Sequence, residues 1–172
     1  MSDIKDQALV IAAFGKSPEL RLDMTNVRNA EVRYHEAQRV NPSTVSELEH
    51  VFNESYRNLK DHVSKIGYQL TLAEKEVRLA QAEVVLGAYA EHLQGKPKSA
   101  DTPHLKDAFL MRDTNYLAAL DRVNQLKALD SNFQGKIKVI ENVCRYMRNK
   151  MYLLQKSGAP MDPTIGITIG RK

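Results

Sequence analysis

Apolar residues recur in steps of three and four along two stretches of about fifty residues each. The clearest runs are Val63 to Gly87 in the first stretch and Phe133 to Leu154 in the second. Such spacing places the apolar side chains on one face of a helix, as in a coiled-coil seam. The pattern therefore predicts two long helices. Their main seam residues are Ile66, Leu70, Val77, Val84, Phe133, Ile137, Ile140, Met147 and Met151.

Turn-forming residues separate these stretches from the rest of the chain. Thr44-Val45-Ser46-Glu47 matches a capping box at the start of the first long helix. Gly95 and Pro97 end that helix, and Pro103 suits the first turn of the next. Two long helices joined by the short loop 95–102 should lie antiparallel, as a hairpin over residues 41–157.

The two ends of the chain differ from this hairpin. Residues 1–40 form a predicted N-terminal segment with short helices near 3–14 and 24–40. Residues 158–172 form a predicted extended tail, in which Ile165, Ile167 and Ile169 alternate with Gly and Thr. Two interpretations of this tail stay open: a disordered end, or a strand that adds to a neighbouring subunit or partner.

The predicted fold class is all-α and oligomeric. Only 6% of the residues are aromatic and Trp is absent, so Ala, Leu, Val, Met and Ile must form the core. A two-helix hairpin buries its seams poorly alone, and further copies of the chain are the expected source of the missing helices. Asp130 falls on the seam line, where an acidic residue can fix register or partner number.

The sequence also indicates a cellular setting. No apolar run approaches the ~20 residues that span a bilayer, and the charged start has no signal-peptide pattern. The single cysteine, Cys144, suits a reducing compartment and is read as a small buried hydrophobe. We therefore expect a cytoplasmic protein without membrane contact.

No residue pattern predicts catalysis or a cofactor. The histidines at 35, 50, 62, 92 and 104 lack metal-ligand spacing, and no Gly-rich phosphate loop precedes a helix. No Ser or Cys has a neighbouring base that would make it a nucleophile. The expectation is a non-enzymatic protein without a metal site.

Positive charge is concentrated at the C-terminal end. Residues 133–172 contain eight Lys and Arg against two acidic residues, whereas residues 1–132 contain 17 basic and 19 acidic residues. This asymmetry points to an anionic partner. Along the last helix the basic residues recur at three, four and seven, with tyrosines between them. A solvated helix flank is the plain alternative, but such a stripe can also follow a phosphate backbone. The predicted nucleic-acid-binding residues are Lys136, Lys138, Arg145, Arg148, Lys150, Tyr152, Lys156, Lys96 and Lys98.

Over roughly residues 54–154 the chain resembles the UvsY-type recombination mediators of large tailed phages. The matching pieces are Tyr56-Arg57-Asn58-Leu59, Ala88 to Gly95, Leu105-Lys106, Asp113 to Leu117 and a last helix ending near Met147. The resemblance implies an all-α ring-forming protein that binds single-stranded DNA. It also implies help in loading a RecA-like recombinase onto strands covered by single-strand-binding protein. The family's basic Lys-x-Arg pair is absent, since Gly87 and Tyr89 stand there.

These observations lead to two hypotheses. The first is a non-enzymatic, homo-oligomeric mediator that binds single-stranded DNA in the cytoplasm of an infected host cell. The alternative is a structural, scaffold or adaptor subunit of a phage particle that acts through protein contacts. Binding to oligonucleotides that weakens steeply with salt would favour the first.

Overall fold

The computed structural model describes residues 8–15 and 17–157. Helices account for 78% of it, which confirms a mainly helical fold. None of the helices in these ranges is long and apolar enough to cross a membrane. In chain order the elements are β1 (Ala8–Ile11), β2 (Leu20–Asp23), α1 (Thr25–Val32), α2 (Tyr34–Gln38), α3 (Val45–Val84), a π-helical turn (Val85–Tyr89), α4 (Ala90–Leu93), a 3-10 turn (Lys98–Ala100), α5 (Pro103–Leu110) and α6 (Thr114–Lys156).

The N-terminal region contains a small sheet. Strands β1 and β2 pair with each other, so the helix predicted near 3–14 is wrong for residues 8–11. In β2 the buried Leu20 and Leu22 alternate with the exposed Arg21 and Asp23. This period of two is the strand pattern, and β1 gains its backbone partners from β2 and not from its own neighbours. Residues 1–7 lie outside the described residues.

The helix predicted near 24–40 forms as two short helices, α1 and α2, with a break at Arg33. A carboxylate oxygen of Asp23 accepts hydrogen bonds from the backbone N–H (2.9 Å) and hydroxyl (2.6 Å) of Thr25. These bonds lower the pKa of Asp23. Arg33 forms ion pairs with Glu36 (2.8 Å) and Glu47 (2.5 Å). Glu47 therefore binds a distant arginine. The turn that leads into α3 is held by Asn41, whose side chain accepts hydrogen bonds from the N–H groups of Ser43 and Thr44.

The chain divides into two compact units. Among the described residues the first unit contains 8–9, 22–62 and 133–157. There the first half of α3 packs against the second half of α6. The His62 and Phe133 rings lie 5.9 Å apart, while Phe52 and Ile140 line one small cavity. Residue numbers thus rise on one helix as they fall on the other, and these two segments run antiparallel.

The second unit contains the described residues of 10–21 together with 63–132. Its segments of α3 and α6 are also antiparallel: Glu74 lies 3.6 Å from Lys127, and further along α3 Ala80 lines a groove with the earlier α6 residue Ala119. The π-helical turn, α4 and α5 connect them. In that connection Tyr89 is buried, and its ring lies 5.6 Å from the ring of Phe109. The second long stretch is interrupted at Met111–Asp113, so α6 begins at Thr114.

The predicted seam residues mostly pack inside the chain. Leu70 and Val77 are half-buried and the remaining seven are buried. On α3 the buried face also includes polar residues at intervals of seven: Ser55, His62 and Gln69. Asp130 is half-buried on the α6 seam line, as its spacing predicts. Self-association stays a prediction, and the extended tail, 158–172, lies outside the described residues.

Candidate nucleic-acid interface

The predicted basic residues of α6 fall on two opposite flanks of the helix. At about 100° per residue, Lys136, Tyr146 and Lys150 share one side of the buried seam. Lys138, Arg145, Arg148, Tyr152 and Lys156 share the other. We call these the Gln38 flank, after its main contact, and the arginine flank. Except for Tyr146, all of these residues belong to the one binding set that the sequence predicts, and the structure gives each flank different neighbours.

The Gln38 flank is used inside the first unit. Lys136 forms an ion pair with Glu31 of α1. Lys150 donates a 2.8 Å hydrogen bond to the backbone carbonyl of Gln38, and the Tyr146 hydroxyl donates to the same oxygen at 3.4 Å. These contacts attach α1 and α2 to α6. A nucleic acid would have to compete with them, so this flank is the weaker candidate.

The arginine flank borders an open groove of about 320 Å³ between α3 and α6. Arg145 and Arg148 form one wall, and Tyr56 belongs to the opposite wall. The buried Ile140 and Cys144 lie at its floor. Lys138, Tyr152 and Lys156 are exposed on the same flank beyond the groove. The complete groove lining is Asn53, Tyr56, Ile140, Glu141, Cys144, Arg145 and Arg148.

The guanidinium groups of this groove are available to a ligand. Within the described part of the chain, neither Arg145 nor Arg148 forms an ion pair, and the same holds for Lys138 and Lys156. Glu141 lies on the same wall and reduces the positive potential. Two arginines with free donors, about one helical turn apart, can each contact a phosphate oxygen.

The thiol at the floor of the groove does not supply a nucleophile. Burial raises the pKa of Cys144, Arg148 opposes that rise, and Glu49 adds to it. The net direction keeps the thiol protonated at neutral pH. The groove therefore offers charge and a ring, and no activated sulfur. Among the residues with described positions, no three His, Cys, Asp or Glu side chains cluster as a metal site would require.

Tyr56 is a groove residue that the predicted set omitted. It is half-buried, and the Lys60 ammonium lies 5.4 Å from the centre of its ring. Its neighbours in the sequence do not indicate a ligand site, since it lies on α3 while the basic stripe lies on α6. The position of Tyr56 on its helix is the available signal: it follows the buried Phe52 by about one turn and so borders the buried face of α3.

Lys96 and Lys98 belong to the second unit and are exposed. The ammonium of Lys96 lies 2.7 Å from Nε2 of His92. Tyr89, at a position of the family's missing basic pair, is buried and donates a 2.5 Å hydrogen bond to Asp101. That position therefore contributes to packing, and any anion-binding charge of this unit must come from other residues.

Comparison of the chain with protein-family models, with curated proteins and with solved structures gave no match.

Proposed function

We propose that this chain is a non-enzymatic, oligomeric protein that binds single-stranded DNA and assists the loading of a RecA-like recombinase. The observation that carries the DNA-binding part is the groove of the first unit, where Arg145 and Arg148 lie beside Tyr56 with no competing ion pair among the described residues. Charge and an aromatic ring are thus presented together, which is the combination used by proteins that bind single strands without sequence preference.

The chemistry of the groove favours single strands over duplex. Arginine forks contact phosphates of any nucleic acid, but a tyrosine ring can stack only on a base that has left its helical stack. Tyr56 in the groove and the exposed Tyr152 on the same flank could each receive one base. Exposed Lys138 and Lys156 extend the positive surface along α6.

The recombinase part of the proposal rests on the resemblance to the UvsY-type mediators. Partners of that kind are a recombinase and a single-strand-binding protein, both of which act on the same DNA. The alternative is a structural or adaptor subunit, which the exposed apolar residues Tyr68, Leu79 and Leu86 favour. The two functions differ in whether the chain binds DNA and in how that binding depends on salt.

A salt titration separates the two functions. Fluorescence anisotropy of a labelled thymidine oligonucleotide is followed over a range of salt concentrations. Four phosphate contacts, from Lys138, Arg145, Arg148 and Lys156, would give a slope of about −3 in a plot of log affinity against log salt. Little binding at moderate salt, or an affinity independent of salt, would favour the structural subunit.

Charge reversal then tests the groove. Arg145→Glu combined with Arg148→Glu should weaken oligonucleotide binding about tenfold or more and flatten the salt slope by about 1.4, at ~0.7 for each lost phosphate contact on a single strand. Arg28→Glu with Arg39→Glu is the matched control, because both arginines are exposed in the first unit and the net charge changes equally. Equal losses in the two variants would mean attraction to net charge alone and would reject the groove.

A further inference from the structure

A second apolar stripe runs along α3 of the second unit and onto the π-helical turn that follows it, where Leu86 lies, on the side away from the core. Tyr68, Leu79 and Leu86 are 65%, 57% and 79% exposed. Leu72 is half-buried between them, and Lys75 and Ala82 are exposed on the same line. Their spacing alternates between four and three: Tyr68, Leu72, Lys75, Leu79, Ala82 and Leu86. We call these six residues the outer seam.

The outer seam is distinct from the buried seam of the same helix. The buried face of this part of α3 contains Ile66, Ala73, Ala80 and Val84, which pack within the chain. The outer seam lies more than 100° around the helix from that face, by the turn of about 100° per residue. It carries the heptad pattern of a coiled coil, and its members are exposed except for the half-buried Leu72. At one edge Leu79 also lines a groove with Phe14 and with Ala119 of α6. Single exposed apolar residues are ordinary, but a seam with heptad spacing fits another seam of the same spacing.

We propose that the outer seam pairs with the outer seam of a second copy of this chain, with the two α3 helices parallel. In heptad terms Leu72, Leu79 and Leu86 occupy position a, and Tyr68, Lys75 and Ala82 occupy position d. Knobs from each seam then enter holes of the other. This pairing identifies a surface through which the proposed oligomer could assemble, and it rests only on the oligomeric part of the proposed function. DNA binding by Arg145 and Arg148 can fail or succeed independently of it.

The charged residues beside the outer seam favour a second copy of the chain as the partner and favour a parallel direction of the two helices. Arg78 occupies position g and Glu83 occupies position e of the next heptad, and neither forms an ion pair among the described residues. In a parallel pair Arg78 faces the partner's Glu83, and the symmetry repeats this contact on the other side. In an antiparallel pair Arg78 would face the partner's Arg78. The seam is thus complementary to itself in the parallel direction.

Lys75 interrupts the apolar seam and limits how it can pair. Its aliphatic stem can cover the seam while its ammonium reaches solvent. A single lysine in a coiled-coil seam lowers stability but fixes register and strand number. The seam is also short, since Tyr68 to Leu86 span about 27 Å of helix. We therefore expect association in the micromolar range.

The test compares two aspartate variants by sedimentation equilibrium of the full chain at about 50 micromolar, well above the expected dissociation constant. Leu79→Asp should lower the average mass, because it places two carboxylates inside the paired seam. Leu153→Asp is the control: it replaces a leucine of similar exposure, 63%, that lies on α6 and outside the seam. Circular dichroism should be the same for both, since neither side chain is buried. A monomeric native chain, an unchanged mass of Leu79→Asp or an equal loss in the control would each overturn the pairing.

Charge swapping tests the direction of the helices. Arg78→Glu should weaken association about tenfold, because two attractive pairs become repulsive ones, and adding Glu83→Arg should restore it. Unchanged association of Arg78→Glu alone would instead indicate antiparallel helices, because one like-charge pair would replace another, and would overturn the parallel arrangement. Binding of Leu79→Asp to a short oligonucleotide is measured alongside. If Leu79→Asp still binds the oligonucleotide but has a lower average mass, the outer seam is the assembly surface. If it loses DNA binding but keeps the average mass of the native chain, the outer seam has no role in assembly.

Discussion

The hydroxyl of Tyr89 donates a 2.5 Å hydrogen bond to the carboxylate of Asp101 in the second unit. This bond is the largest cause of the raised pKa of Tyr89, with burial second. Since the folded-state pKa is raised, the contribution to stability is complete below the ordinary tyrosine value of 10.0. It is lost as the pH rises through the folded-state value.

Tyr89→Phe should therefore lower the urea midpoint at neutral pH. The difference in urea midpoint between the unsubstituted chain and the variant should narrow as the pH rises above about 10, because Tyr89 then ionises in the unfolded state. Urea unfolding followed by circular dichroism at several pH values measures both effects. A gap that stays constant into the alkaline range would show that the hydroxyl does not act through this bond.

Single residues of the candidate interface were partly predictable from the sequence. Arg145, Arg148 and Tyr152 share a flank of α6 because helical spacing alone determines it. Tyr56 could not be assigned to the same groove, because its position depends on how α3 packs against α6. The contact of Lys150 with the carbonyl of Gln38 was hidden for the same reason: the partner is 112 residues away.

Helices α3 and α6 each carry a glycine in their interior. A methyl group added at Gly67 or Gly135 would meet nothing within 4 Å beyond the helix itself. Glycine in a helix costs about 0.5–1 kcal/mol relative to alanine. Gly67→Ala and Gly135→Ala should thus each raise the free energy of unfolding by about that amount.

Urea or thermal unfolding measures these gains, and the double variant should show their sum because the two sites are in different units. A control is Gly95→Ala. Gly95 lies two residues after the end of α4, and its φ is +73°. Alanine there should destabilise the chain, since a side chain disfavours that conformation. A loss of stability at Gly67 or Gly135 would mean that the glycine is required by a contact outside the described residues.

The same helices show where prediction from spacing ends. Alternating steps of three and four identified both long helices and nearly all of the α6 seam, because that signal is local. On α3 the spacing of apolar residues predicts Leu70 as the buried residue, yet Gln69 is more deeply buried, with 4% of its surface exposed. Because polar and apolar residues alternate along this seam, the apolar positions alone do not determine which of two neighbouring residues faces the core. Strand β1 was missed because its backbone partner, β2, lies beyond a turn.

At the scale of the whole molecule, the proposed function depends on two surfaces. The groove of the first unit provides charge and an aromatic ring for a single strand, and the outer seam of the second unit provides a surface for another copy of the chain. Neither surface depends on the other's residues. A protein that joins two copies through one surface and holds DNA on another can cover a longer stretch of strand than one copy alone.

The most direct measurement of the central claim maps where the DNA lies. A thymidine oligonucleotide that carries 5-iodouracil is bound to the native chain, irradiated, and the cross-linked residue is identified by mass spectrometry. DNA bound in the groove should cross-link to Tyr56 on the α3 wall and to Tyr152 on the arginine flank. Tyr146 is an internal control, because it is 46% exposed on the opposite flank of the same helix. Cross-links confined to Tyr146, or none on either side of the groove, would contradict the account.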